Sequence, residues 1–407
     1  KMKKPELLAP AGNLEKLKTA VDFGADAVYL GGKKYSLRAF AGNFSLDEMA
    51  RGIEYAHSKG KKVYVALNIF PHNRDLEGLE EYIREVASLD ADAVMASDPG
   101  IIGTIKQVSP GMEIHLSTQA NCTNYKSALF WHGVGVRRIV AARELSLEEI
   151  KVLRDKLPSS CEIEAFVHGS MCVSYSGRCL LSDYMTGRNS NRGECAQPCR
   201  YKYYLVEEKR PGQYFKIEED GRGAYILNSK DLCMIRHIPE LINAGIDSFK
   251  IEGRMKSVFY VASAVKAYRE AIDRYFEDSD GYRFEQKWLD WLSRPSHRPF
   301  TTGFYFSEEE KQYYQSSDNI RGYDMVGIVK AYDGKNNIAV AEQRNKVCCG
   351  DWVEVVTPEG DNKLVEIADM RDQNSQPLDC APSPQMIFTF KCAQPLKEGD
   401  ILIKKVD

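Results

Sequence analysis

Residues 61–97 read KKVYVALNIFPHNRDLEGLEEYIREVASLDADAVMAS, and their pattern decides the fold. VYVALNIF is apolar at nearly every position rather than at every second one, so a strand here is buried on both faces. DLEGLEEYIREVASLD follows with apolar residues at helical spacing, and DAVMAS opens another short apolar strand. A strand, a helix and a strand, with both strands covered on two sides, is the unit of a parallel sheet flanked by helices.

The same unit recurs on either side. PELLAPAG precedes NLEKLKTAVDFG, DAVYLGG precedes SLDEMARGIEYAHSKG, MEIHLSTQ precedes NYKSALFWHGVG, and VRRIVAAREL leads through SLEEIKVLRDKL to CEIEAFVHG. SLDE and SLEE read as helix starts, each a serine cap with glutamate in the third helical place, Glu48 and Glu149. About seven strands precede residue 171, and SFKIEGRM supplies another after it. The expected fold is therefore α/β, a TIM-like (β/α) barrel over residues 1–315 with a cysteine-rich insertion at about 169–225. From about residue 320 the period changes to short alternating strands split by DG, KNN, CCGD, PEGDN and KEGD, which predicts a small C-terminal β-barrel domain over 320–407.

The chain has 407 residues, 43% of them apolar, and a formal charge of −3. That charge neither advertises nor excludes a nucleic-acid partner. No apolar run reaches the length of a membrane helix, and the start lacks a secretion signal, so a soluble cytoplasmic protein without a membrane partner is expected. Eleven cysteines without even spacing do not form a secreted disulfide framework. Those on apolar segments read as small buried hydrophobes.

Four cysteines stand apart. In MCVSYSGRCLLSDYMTGRNSNRGECAQPC, residues 171–199, they are spaced C-x6-C-x15-C-x3-C as Cys172, Cys179, Cys195 and Cys199. The stretch is too polar to bury them by its own hydrophobicity. Structural zinc sites draw on tight cysteine knuckles, which only the second pair approaches, whereas iron–sulfur clusters tolerate irregular spacing. A [4Fe-4S] cluster is the leading reading, with zinc or unligated thiols as alternatives. Cys233, in KDLCMI, reads as a buried thiol at a helix start rather than a fifth ligand.

EAFVHGSMCVSYSGRCLLS, NRGECAQPCR, ILNSKDL and FKIEGRMKS resemble the signature of the U32 peptidase-like family, and ELLAPAG and ADAVYLG resemble its opening. The resemblance implies a barrel that carries a [4Fe-4S] cluster on those four cysteines. It also implies oxygen-independent hydroxylation, in the branch closest to this chain converting the wobble uridine (U34) of tRNA to 5-hydroxyuridine with prephenate as co-substrate. Peptidase or collagenase activity, ribosomal RNA hydroxylation and non-catalytic RNA binding are the alternatives. tRNA, prephenate and a homologous U32 partner or a second copy of the chain are the implied partners.

Strand ends in a barrel share one rim, where active sites are built. His168 is a candidate for proton transfer or for a hydrogen bond to a cluster sulfur, Gln119 and Glu252 are further catalytic candidates, and His115 reads as packed inside. Lys250, Glu252 and Arg254 alternate along one strand and so face one side, suited to a carboxylate or, alternatively, to an internal ion network. Lys256, Arg38, Asn68 and Lys230 complete the expected substrate-binding set. Arg200, Lys202 and Tyr203, directly after the last loop cysteine, mix charge and aromatic rings as an RNA-binding strand would. Ser170 lacks a motif that would make it a nucleophile, and neither H-E-x-x-H nor G-x-S-x-G occurs.

Overall fold

A computed structural model describes residues 3–36, 43–172, 174–175, 178–201, 204–206, 212, 214–216, 230–306 and 320–406. Seven strands run in chain order: β1 (Glu6–Pro10), β2 (Ala27–Gly31), β3 (Lys62–Leu67), β4 (Ala93–Ala96), β5 (Ile114–Leu116), β6 (Arg138–Val140) and β7 (Glu162–Ser170). Helices α1 (Leu14–Asp22), α2 (Leu46–Ser58), α3 (Leu79–Ser88), α4 (Pro99–Val108), α5 (Tyr125–Gly133) and α6 (Leu147–Lys156) alternate with them. After β7 come α7 (Leu181–Thr186), the hairpin of β8 (Tyr204–Val206) and β9 (Tyr214–Lys216), β10 (Asp231–Cys233), α8 (Ile238–Asn243), β11 (Ser248–Ile251) and α9 (Val258–Glu277).

Strands β1 to β7 pair in parallel, each with the next, and β11 pairs in parallel with both β1 and β7. That double pairing closes an eight-stranded parallel barrel. Both predicted helix starts are capping boxes, Ser45 with Glu48 and Ser146 with Glu149. The expected strand-helix rhythm is borne out in full, because each strand is buried on the helix side and the barrel side alike.

The barrel interior is charged at its lower end. Arg138 bonds Glu6 at 2.6 Å, Glu162 at 2.7 Å and Glu164 at 3.1 Å, while Lys250 bonds Glu164 at 2.6 Å. Tyr64 and Ser248 donate to Glu6. His115 is buried against the Tyr64 ring and bonded to Glu113, as a packed histidine. Lone charges here would be prohibitive, so these groups persist by neutralising one another.

The C-terminal part is a seven-stranded antiparallel sheet spanning Tyr323 to Lys405. Its two edge strands, Lys363–Glu366 and Ala368–Arg371, are separated by Ile367 alone, so the sheet curls until its edges meet, as a small barrel does. Ile328, Val356, Ile401 and Ile403 join the core of the larger barrel. Arg294 with Glu354 and Lys266 with Asn362 tie the two parts at 2.9 and 3.0 Å.

Two local expectations change. Cys233 ends a strand antiparallel to β7 instead of starting a helix, because Asp231–Cys233 finds partners in His168–Ser170. Cys348 and Cys380 form a disulfide, which only the ladder register Cys348↔Cys380 brings together. Cys122, Cys161 and Cys233 are buried as small hydrophobes, and burial pushes their thiols up to about 11, 11 and 12.

Candidate active site at the barrel mouth

A small cavity of about 40 Å³, open to solvent on one side, lies where the barrel strands end. Tyr29, Asn68, Ser117, Thr118, Gln119, Arg143, Phe166, Lys250, Glu252 and Arg254 are among its walls. They come from β2, β3, β5, β6, β7 and β11 or the turns beyond them, so that six strands contribute to one rim, as the barrel geometry requires. Five predicted residues thus meet here: Asn68, Gln119, Lys250, Glu252 and Arg254.

The polar groups hold one another in place. Asn68 donates to Gln119 Oε1 and Ser117 Oγ, both at 3.3 Å, and Ser117 also bonds Gln119. The Tyr29 hydroxyl reaches Ile251 O at 3.0 Å and Glu252 Oε2 at 3.2 Å. Arg254 crosses the mouth over the end of β2, and Gly31 makes room for it. A Cβ on Gly31 would stand 2.0 Å from Arg254 Nη1, so only glycine admits the guanidinium there.

Lys250 forms the floor. Burial holds its ammonium below the usual range, with Glu164 acting in the opposite sense. Burial alone would raise the Glu164 carboxyl, but Lys250 and Arg138 outweigh it and keep the group ionised. Lys250 is neutralised by Glu164 at 2.6 Å, so the net positive character of the mouth comes from Arg143 and Arg254 against Glu252.

Arg143 is the cavity residue that sequence reasoning noted only as a strand end. Its guanidinium lies over the Phe166 ring at 4.0 Å, donates to Ser170 O at 3.1 Å and stands 3.8 Å from Glu252. Ser170 leads directly into Met171 and Cys172, so Arg143 joins the ligand cavity to the start of the cysteine loop. The available signal was its place at a strand end beside Glu144. Tyr29, in ADAVYLG, is likewise a cavity residue that was not singled out from the sequence.

His168 does not line the cavity. It sits on the outer side of β7 among Tyr260, Tyr268 and Phe300, with ring centroids 5.6–5.8 Å away. The ladder between β11 and β7 shifts register after Lys250, where Ile251 opposes His168 and Val167 is passed over. That bulge reverses the alternation that points Glu164 and Phe166 inward. Burial lowers the imidazole to about 3. Lys256 is also off the cavity, 3.8 Å from the buried Asp231 and over the Tyr260 ring. Lys230 leads into β10 and does not line the mouth either. Arg38, Lys202 and Tyr203 lie outside the described residues, and only the backbone of Arg200 is described.

The cysteine loop is tied to the rim of this mouth. Arg178 donates to Gln119 O at 2.9 Å and lies over Phe70, while Phe70 N donates to Asn191 O at 3.2 Å. Inside the loop, Asn191 Oδ1 accepts from Cys179 N, and Ser182 Oγ from Ala196 N. All four cysteines are half-exposed and outside the disulfide. Leu181 N donates to Cys179 Sγ at 3.4 Å, and Gln197 N to Cys195 Sγ at 3.3 Å. This donor chemistry fits a soft metal centre, although among the described residues no three His, Cys, Asp or Glu side chains are drawn close enough to hold an ion. Among them also, no helix is long and apolar enough to cross a membrane.

Comparison with known proteins adds the relationships. The profile of Peptidase family U32 matches residues 12–315, and that of the Peptidase family U32 C-terminal domain matches 321–402. The tRNA hydroxylation protein P1 of Bacillus subtilis (strain 168) is 42% identical, over 99% of this chain and 95% of its own. The tRNA hydroxylation protein P of Escherichia coli (strain K12) is 37% identical, over 94% of this chain and 92% of its own. The 23S rRNA 5-hydroxycytidine C2501 synthase of the same organism is 34% identical, over 82% of this chain and 48% of its own. With the barrel and the C-terminal sheet both matched, this chain belongs to peptidase family U32.

Proposed function

We propose that this chain is a cytoplasmic tRNA-modifying enzyme that hydroxylates C5 of the wobble uridine, with prephenate as co-substrate and a [4Fe-4S] cluster on Cys172, Cys179, Cys195 and Cys199. The observation that carries the reading is the cationic cavity whose rim holds the cysteine loop, through Arg178 to Gln119 O and Arg143 to Ser170 O. Prephenate is a dicarboxylate, and Arg254 and Arg143 each offer a planar fork suited to a carboxylate. Lys250, paired with Glu164, closes the floor, and Glu252 disfavours a ligand that carries only negative charge at its own corner. Asn68 and Gln119, fixed by their mutual hydrogen bond, suit the edge of a uracil or a hydroxyl of the co-substrate. A cluster bound in the cysteine loop would supply electron transfer or a Lewis-acid site.

Hydrolysis is less well supplied. Ser117 and Thr118, the hydroxyls lining the cavity, bond Gln119 and the Ala141 carbonyl; neither is paired with a histidine among the described residues, as a nucleophile would need.

Anaerobically purified protein is expected to carry about four irons and as many sulfides per chain, absent from Cys172→Ala with Cys199→Ala. Nucleoside mass spectrometry of tRNA treated with prephenate and the wild type should show 5-hydroxyuridine, and none with the variant. Zinc in place of iron, or hydroxylation that survives loss of the cysteines, overturns the reading. Proteolysis that survives their loss establishes a peptidase instead.

A further inference from the structure

The cysteine loop also presents rings to solvent. Tyr184 is 92% exposed, Leu180 71%, Tyr201 54% and Tyr175 53%, with Met185 beside them. All five lie within 27 residues of chain, three of them at or within α7. Large apolar side chains scattered singly over a surface need no explanation, but a local concentration does.

The rings are held by a built framework. The turn after α7 closes through Gly187 N to Asp183 O and Thr186 Oγ1 to Ser182 O. Ser182, fully buried, receives Ala196 N, which locks α7 against the Pro198–Arg200 turn. The Tyr201 hydroxyl donates to Ala196 O at 2.9 Å, fixing that ring's edge while its face stays exposed. The backbone that carries these rings is thus held by internal hydrogen bonds, and the Tyr201 ring itself by its hydroxyl.

Charge selects among partners. Residues 171–201 contain Arg178, Arg188, Arg192 and Arg200 against Asp183 and Glu194, in a chain whose overall charge is −3. A positive, ring-bearing loop on an otherwise acidic protein suits unpaired nucleotides, whose bases stack while their phosphates meet arginine. We propose that Tyr184, Tyr201 and Tyr175, with Leu180, form a stacking platform for the unpaired bases of an RNA loop, delivering the target base to the cavity below. The platform rests on the hydroxylase reading for the identity of that RNA, a tRNA anticodon loop. Arg178 anchors the platform over the cavity through Gln119 and Phe70, so a base flipped out beside it faces the mouth.

The test is fluorescence anisotropy of the full chain with an anticodon stem–loop, without prephenate, so that binding is read independently of hydroxylation. Tyr184→Ala is expected to weaken binding about tenfold, and Tyr184→Trp to restore it. A stem–loop whose loop bases are replaced by abasic sites should bind wild type and Tyr184→Ala alike. Thermal unfolding of each variant checks that the fold is intact. Unchanged affinity in Tyr184→Ala, an equal loss on the abasic probe, or no RNA binding by the wild type overturns the platform. A tenfold loss in a protein that hydroxylates no uridine leaves the platform standing and removes the hydroxylase reading.

Discussion

Glu164→Gln tests whether the barrel's interior charges are held by mutual neutralisation. Glu164 is fully buried and shared, 2.6 Å from Lys250 and 3.1 Å from Arg138. The amide keeps shape and volume but removes the charge. Arg138 retains Glu6 and Glu162 at 2.6 and 2.7 Å; Lys250 loses its close carboxylate and is left over the rings of Tyr29 and Phe166. Leaving one buried charge without its partner costs about 3–5 kcal/mol. Lys250→Met should cost less, because Glu164 still meets Arg138. The double variant, with both charges gone, should therefore be more stable than Glu164→Gln alone. Urea unfolding followed by tryptophan fluorescence is a suitable assay, since Trp288 and Trp291 sit in the barrel core. The pH dependence has a fixed sign. The folded carboxyl lies below its unfolded value of 4.5, so its contribution is fully present above that value and is lost as pH falls through the lower folded one. A loss under about 1 kcal/mol, or a double variant weaker than the single, would refute the reasoning.

Gly169 has φ of +109°, and a Cβ there would stand 2.4 Å from Glu252 O; Gly169→Ala should destabilise by roughly 1–3 kcal/mol in thermal unfolding and lower activity by displacing Glu252. Ser45→Ala removes a capping box and should cost about 1 kcal/mol, with a similar loss for Ser146→Ala, both read by urea midpoint. Because burial holds His168 near 3, its proton resonances should stay those of neutral imidazole from pH 8 down to about 4, and no limb of an activity profile between about pH 5 and 8 should disappear in His168→Gln. Arg143→Lys, which keeps charge but loses the fork, should weaken prephenate binding about tenfold by calorimetry, and unchanged affinity would remove Arg143 from the site.

Much of the candidate site was legible because strand ends in a barrel share a rim. Asn68, Gln119, Lys250, Glu252 and Arg254 could be placed together from their positions at the ends of apolar runs, and the structure brings all five to one cavity. Arg143 was not, since nothing local distinguishes a strand-end arginine that points inward from one that faces solvent. His168 was assigned to the rim as a strand-end residue, and one bulge at Val167 turned it outward.

By itself the sequence determined the barrel, since doubly buried strands, capping boxes and helical periods are local properties written residue by residue. It also determined the four-thiol loop and the change of period that begins the C-terminal sheet. Tertiary structure decided which charges meet. Glu164 and Lys250 are 86 residues apart and pair only because β11 closes the barrel against β7. Closure, register and the bulge arise from contacts between distant segments, and those contacts determine whether a polar side chain lines a cavity, neutralises a neighbour or packs among rings.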